Sequence, residues 1–379
     1  MLDSLRLKNQ EMARSLGKIK DLVEQSSAPA EFAPYRQRLL AIIAELLLEV
    51  QSSLDRLELG LPELIDDVLS QTAVVIRYVR LLSFRFLRPL FRASPGDRVC
   101  LATIQWLHEN HAKTSAYPAV FADDDCAISP TIHVAPMYFF SCLEQRGLLF
   151  QPLLFHEFGH LLYLCHRDEM DDLVADLQRD IEQILLPVSQ RNDQHADVQA
   201  AALQKVVDAW YLWAQEFFCD AAGLTIGGPC FLKSFSEFML RLQPGDFYSP
   251  AEELGKSSHP PTWLRIQALV RRARTLGYDD LATAVETSWS SVGSALRTRT
   301  DYHGFYEPEF ESIVSRTIDD MLIEVAARSC SVEESHGNGW QAAPTNMVAL
   351  LNEAWRLNQI SPADFPGWEK DVLQRLYGL

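Results

Sequence analysis

His156-Glu157-Phe158-Gly159-His160 sits inside an apolar run, with Leu148, Leu149, Phe150, Leu153, Leu154 and Phe155 before it and Leu161, Leu162, Tyr163 and Leu164 after it. The run predicts a buried helix starting near Pro152, because proline suits a first helical turn. On that helix, residues four apart lie one above the other, so His156 and His160 offer ring nitrogens to a single point. Burying two imidazoles and a carboxylate without partners is costly, and a metal ion removes that cost. The spacing therefore predicts a zinc site, with Glu157 placed to take a proton from water that zinc makes acidic. The plain alternative is a core helix with two incidental histidines, and the motif is short for a chain with 10 His.

A catalytic zinc takes three protein ligands and keeps one position open, so a third ligand is expected downstream. Trp213-Ala-Gln-Glu216-Phe-Phe-Cys-Asp220-Ala-Ala-Gly223 again puts two acids four apart in a stretch of helical period. Two such acids are ordinarily a solvated face. Here Trp210, Leu212, Trp213, Phe217 and Phe218 surround them, which argues for burial. Glu216 is expected to complete a His₂Glu site. Asp220 is expected to accept the free N–H of a ligating imidazole, His156, and so fix its tautomer.

Ser257-Ser258-His259-Pro260-Pro261-Thr262-Trp263-Leu264-Arg265-Ile266 says little by chemistry alone: a Pro-Pro loop, then a helix that Thr262 can cap,. In order, however, HEFGH, EFFCDAAG and SHPPTWLRI resemble the gluzincin metallopeptidases of the CAAX prenyl protease and HtpX type. Their pattern is HExxH, then ExxxD, then His-Pro with an Arg six residues after the His, the offset of His259 and Arg265. The resemblance covers roughly residues 120 to 270 and implies a zincin-like core. It also implies that His259 or Arg265 stabilises the oxyanion or holds the site together. The bland alternative is a helix-capping loop with a surface arginine. In that family an edge strand and a short helix precede HExxH. Here Cys126 to Pro136 would supply the strand region, and Phe139 to Leu149 the helix and link. The membrane-spanning helices of the CAAX protease branch are missing.

Composition sets the bounds. A chain of 379 residues, 47% hydrophobic and 22% charged, is long enough for one large or two modest domains,. A net charge of −17 argues against nucleic acid as a partner, since phosphate recognition relies on a basic surface,. The first ten residues hold no continuous apolar stretch of the secretory kind, so the cytoplasm is the expected location,. Seven scattered cysteines without a C-x-x-C pair read as reduced thiols,.

Residues 1–93 read as three helices, Leu5 to Gln25, Tyr35 to Leu57 and Pro62 to Phe91, closed by Ser94-Pro95-Gly96-Asp97,. Leu39 to Val50 is too short and too acidic to span a bilayer, so no transmembrane segment is expected. Thr72 to Phe91 is apolar but carries Arg77, Arg80, Arg85 and Arg88. That makes either a basic membrane-surface helix or, the preferred expectation on so acidic a protein, a set of intramolecular ion pairs. Arg167 to Leu186 and Ala196 to Leu224 are expected helices, joined by the polar loop Gln190 to His195. Ser329 to Ala343 reads as an exposed loop.

The expected whole is a mainly α (α+β) protein. An amino-terminal helical region (1–93) precedes a zincin-like metallopeptidase core (94–275) with a small β element at the cleft, and a carboxyl-terminal helical region (276–379) follows. One Zn²⁺ per chain is held by His156, His160 and Glu216, with Asp220 behind them and Glu157, His259 and Arg265 acting on a protein or peptide substrate. That substrate is expected to dock as an added strand against Thr131, Ile132, His133 and Val134. A regulatory partner or signal can be invoked if the enzyme is latent, and another amide can replace the peptide as substrate. The competing non-enzyme reading is a helical adaptor with a vestigial zinc site. Glu157, which a structural zinc does not need, counts against it.

Overall fold

Leu5, Met12, Leu16, Ile19 and Val23 share one buried face of the first helix, α1 (Leu2–Glu24), in the computed structural model of the chain. The structure describes residues 1–118, 120–124, 126–131, 134–141, 143–185, 196–341 and 346–379. Two more helices answer α1, α2 (Ala33–Leu59) and α3 (Ile65–Leu81). Gly60, at φ 67°, ends α2 in the left-handed conformation that glycine adopts without strain,. Asn9 crosses the interface and its Nδ2 donates to Thr72 Oγ1 at 2.9 Å, so the amide nitrogen buried in this apolar stack is paired,. The third expected helix continues past Leu81 as a π turn, Leu82–Phe86, and a short α4 (Arg88–Arg92). Pro89, whose ring clashes with the carbonyl four residues back, explains why regular α-helix does not run through.

The small sheet has β3 (Met137–Phe140) at its centre. It pairs parallel with β1 (Val120–Asp123) and antiparallel with β2 (Ala127–Ser129). Phe139, expected in a helix, is therefore a strand residue, and the link after it holds only a short 3₁₀ turn, Glu144–Arg146. Within the expected strand region, Cys126 to Pro136, the strand is Ala127–Ser129, ahead of Thr131. Val134 N donates to Thr131 O at 3.1 Å. The prolines at 130 and 136 interrupt strand pairing on either side,. Ile132 and His133 lie outside the described residues.

The chain divides into two compact units. One comprises Met1–Leu101, Ala116–Cys142 and Tyr377–Leu379, and the other Ala102–Ser115 and Leu143–Leu376. The expected boundaries near 93 and 275 lie elsewhere than this division, and long-range contacts give the reason. The sheet region belongs with the amino-terminal helices, as Arg38 Nε donates to Val134 O at 3.3 Å.

After α5 (Arg98–Glu109), the second unit is built on α6 (Leu153–Cys165), α7 (Arg167–Leu185) and α8 (Ala196–Gly227). Around them pack α9 (Pro229–Met239), the short α10 (Ala251–Leu254), α11 (Thr262–Thr275) and α12 (Asp279–Leu296). Then come α13 (Glu311–Glu324), the short α14 (Val332–Ser335), α15 (Met347–Ile360) and α16 (Phe365–Tyr377). Trp263 of α11 stacks on Trp289 of α12 with centroids 5.9 Å apart. Trp355 of α15 donates to Leu149 O at 2.7 Å, just ahead of α6. The last hundred residues thus share the core of the histidine helix instead of forming a region apart. The expected polar loop Gln190 to His195 falls outside the described residues. No helix of the described residues is long and apolar enough to cross a membrane.

Candidate metal centre

Gly159, the fourth residue of the histidine motif, sets how closely α6 and α8 approach. A Cβ built on it would stand 2.8 Å from the Cα of Cys219, a backbone atom that cannot yield unless the helix moves. Small residues recur along this seam. A Cβ on Gly227 would meet the ring of Phe155 at 2.7 Å, and on the side of α8 that faces α9 one on Gly223 would run into the ring of Phe231. The close approach is what carries Glu216 of α8 to the histidines of α6. Gly159→Ala is therefore expected to push the helices apart, with a loss of about 1–3 kcal/mol in stability from overpacking and a weaker metal site. Denaturant unfolding and a metal titration check this, and a variant matching the parent in both would show that the seam has slack.

His156, His160 and Glu216 come together, their ligand atoms all within 4.8 Å of one another. Glu216 Oε2 stands 3.5 Å from His156 Nε2 and Glu216 Oε1 3.5 Å from His160 Nε2. Atoms bound to a tetrahedral ion at 2.0–2.1 Å are about 3.3 Å apart, so each imidazole nitrogen stands near that separation from one oxygen of the carboxylate. Glu216 is buried, and its Oε2 accepts no hydrogen bond although Arg265 Nη2 lies 3.2 Å away. The proximity gives charge balance without a well-aligned bond, and it leaves a lone pair for a cation.

Asp220 stands where the spacing placed it, behind His156, with Oδ1 at 2.9 Å from Nδ1. A carboxylate can only accept, so Nδ1 carries the proton and the lone pair of Nε2 turns toward Glu216 and His160. Arg265 Nη2 also lies 3.5 Å from Nδ1, but two donors cannot bond each other, so that approach is packing. Arg265 instead grips Asp220 with a fork, Nε to Oδ2 at 2.8 Å and Nη2 to Oδ1 at 2.7 Å. The ring of Phe235 on α9 lies 4.9 Å from the guanidinium carbon and closes that side.

The electrostatics call for positive charge. Burial alone would lower the His156 pKa, yet the carboxyl groups of Asp220, Glu216 and Glu157 together hold it above the ordinary value. His160, by contrast, is pushed down to about 4, first by burial and then by His156, so at neutral pH it is an uncharged donor of electrons. Glu216 and Asp220 both sit below the usual carboxylate range. Burial raises them, but Arg265 and the histidines outweigh it. The two carboxylates held low, Glu216 and Asp220, outnumber the one guanidinium, a surplus that a cation balances. By donor type, spacing and charge, these residues fit a metal ion.

His259 differs from the rest. Its side chain is 59% exposed, and its Nε2 lies 3.4 Å from Glu216 Oε1, at the rim of the cluster. Ser258 Oγ, 2.9 Å from Nδ1, orients the ring, while Trp213 Nε1 holds the loop by donating to Ser257 O at 3.2 Å. Arg265, read from sequence as a group acting on the substrate or a buried clamp, is 3% exposed and spends its fork on Asp220. Glu157 is buried on α6 beside His156. Thr131 and Val134 belong to the other unit.

Sequence reasoning passed over the contact of Gly159 with Cys219, and it passed over Phe235. A glycine three residues after the first histidine and a small residue before Asp220 were the available signal for the contact. A phenylalanine among core aromatics carries none. Set against protein-family models, curated proteins and solved structures, the chain matches none of them.

Proposed function

We propose that this chain is a zinc-dependent metalloendopeptidase of zincin-like type, with His156, His160 and Glu216 holding the ion. The observation that carries the reading is the buried convergence of two imidazoles and a carboxylate from α6 and α8, with Asp220 behind His156. The order of the three motifs, which resembles the gluzincins, points from metal binding to hydrolysis. Zinc at such a site supplies Lewis acidity toward a carbonyl and makes water a nucleophile near neutral pH.

The residues divide the remaining work. Asp220 keeps the Nδ1 proton on His156, so the Nε2 lone pair is always presented in the same direction. Arg265 fixes Asp220 and balances Glu216. Glu157 takes the proton of the attacking water and returns it to the leaving amine. His259, exposed at the rim with a nitrogen toward Glu216, is the group best placed to donate to a substrate oxygen as negative charge develops there.

Metal analysis of the purified protein tests the site. One zinc per chain is expected, falling to none in His160→Ala, together with cleavage of a denatured protein substrate that a chelator stops and zinc restores. Unchanged zinc content in His160→Ala would remove the assignment. Zinc bound with no cleavage of any substrate would favour a non-catalytic adaptor.

A further inference from the structure

Between Asp67 and Asp97 the chain contains Arg77, Arg80, Arg85, Arg88 and Arg92 and no acidic residue, although acids outnumber bases by 51 to 34 overall. Among the described residues, the expected pairing of the first four with acids of the same molecule is not found. Among the described residues Arg77, Arg80 and Arg88 have no ion-pair or hydrogen-bond partner, and Arg85 has only the ring of Phe139, 5.8 Å from its guanidinium carbon. All five arginines are exposed.

Apolar side chains are exposed among them. Val74 is 45%, Phe84 70% and Phe91 54% accessible. Val74, Arg77, Arg80, Phe84, Arg88 and Phe91 follow one another at intervals of three or four, so the segment from α3 through α4 presents them along one face. Near its end, Phe84, Arg85, Arg88 and Arg92 rim a cavity of about 330 Å³ whose floor includes Phe121, Met137 and Phe139. Asp97 and Asp124 also stand on its wall.

A face that served solubility alone would carry the arginines without the two phenylalanines. A small anion would engage the arginines around the cavity but leave Arg77, Arg80 and Phe91 without a role. Guanidinium forks suit phosphate, and large apolar side chains beside them suit the boundary between headgroups and acyl chains. We propose that residues 74–92 form a docking surface for anionic phospholipid membranes, with a lipid phosphate seated at Arg85 and Arg88 on the cavity rim. The segment lies on the bilayer and does not span it. The acidic remainder of the chain opposes this only locally, since charges farther away than about 8 Å are screened at physiological salt. This proposal is independent of the hydrolase reading.

Sedimentation of the full chain with vesicles tests it. Binding is expected to vesicles of phosphatidylcholine mixed with phosphatidylserine, not to phosphatidylcholine alone, and is expected to weaken as salt is raised. Arg77→Gln/Arg80→Gln/Arg88→Gln is expected to lower the partition coefficient about a hundredfold, at roughly fivefold per arginine. Phe84→Ser/Phe91→Ser is expected to lower it by roughly tenfold or more, because both large apolar side chains are withdrawn from the acyl boundary. Circular dichroism checks the fold, and Arg80→Gln alone, expected to lose about fivefold, serves if the triple variant is unstable. No binding to the mixed vesicles even at low salt overturns the proposal, as does a triple variant that binds like the parent. Binding lost with the arginines but untouched by the phenylalanine substitutions also overturns it, and assigns the face to an acidic macromolecule instead.

Discussion

Glu157→Gln is expected to slow peptide hydrolysis by about 10²–10⁴-fold, the usual contribution of a general base, while zinc stays at one per chain. Glutamine keeps the volume and the hydrogen-bonding reach of the side chain but cannot accept a proton at neutral pH. The substitution therefore separates chemistry from metal binding, because the atoms proposed to hold the ion belong to His156, His160 and Glu216. The measurement is kcat on a cleaved peptide, paired with metal content of the same preparation. Hydrolysis at the parent rate would take the base away from Glu157. Loss of zinc together with activity would instead make Glu157 part of the metal-holding structure.

The ligand set was legible because most of it is local. Two histidines four apart on a helix converge by the geometry of the helix alone, and the apolar neighbours of Glu216 announced that its acid is buried. Where the reading went astray, distance along the chain was the cause. The tie of Trp355 to Leu149 spans more than two hundred residues, and no periodicity hints at it, so the carboxyl-terminal helices were set apart as their own region. The arginines from Arg77 to Arg88 were expected to find acids by average charge alone, and averages do not say which face a helix turns outward. A local signal was also overlooked. Ser331 and Glu334 form a capping box, with Ser331 N donating to Glu334 Oε2 at 2.9 Å, and it starts a helix inside the stretch expected to be an exposed loop,. Gly337-Asn338-Gly339, a turn signal in the same stretch, points the other way,. In the sheet, the apolar alternation around β3 was masked by its aromatic run, Met137 to Phe140, which fits a buried strand and a buried helix equally well.

Arg265→Ala is expected to be the most destabilising single change near the site. It strips the fork from Asp220, which is 1% exposed, and the nearest positive charge from Glu216, which is 5% exposed. Removing one partner from a buried ion pair costs about 3–5 kcal/mol, because the other charge is left without compensation. In a unit of this size that corresponds to a fall of roughly 6–20 °C in Tm. Asp220, no longer held, also loses its grip on His156 Nδ1, so metal affinity is expected to drop about ten- to a hundredfold. Arg265→Lys restores the charge without the planar fork and is expected to recover stability in part and affinity less. An oxyanion-binding arginine would behave otherwise, lowering kcat with stability and zinc affinity intact. Thermal unfolding and a competitive zinc titration on the three proteins decide between the two. A variant with unaltered Tm and affinity but lost turnover would move Arg265 from the clamp to the substrate.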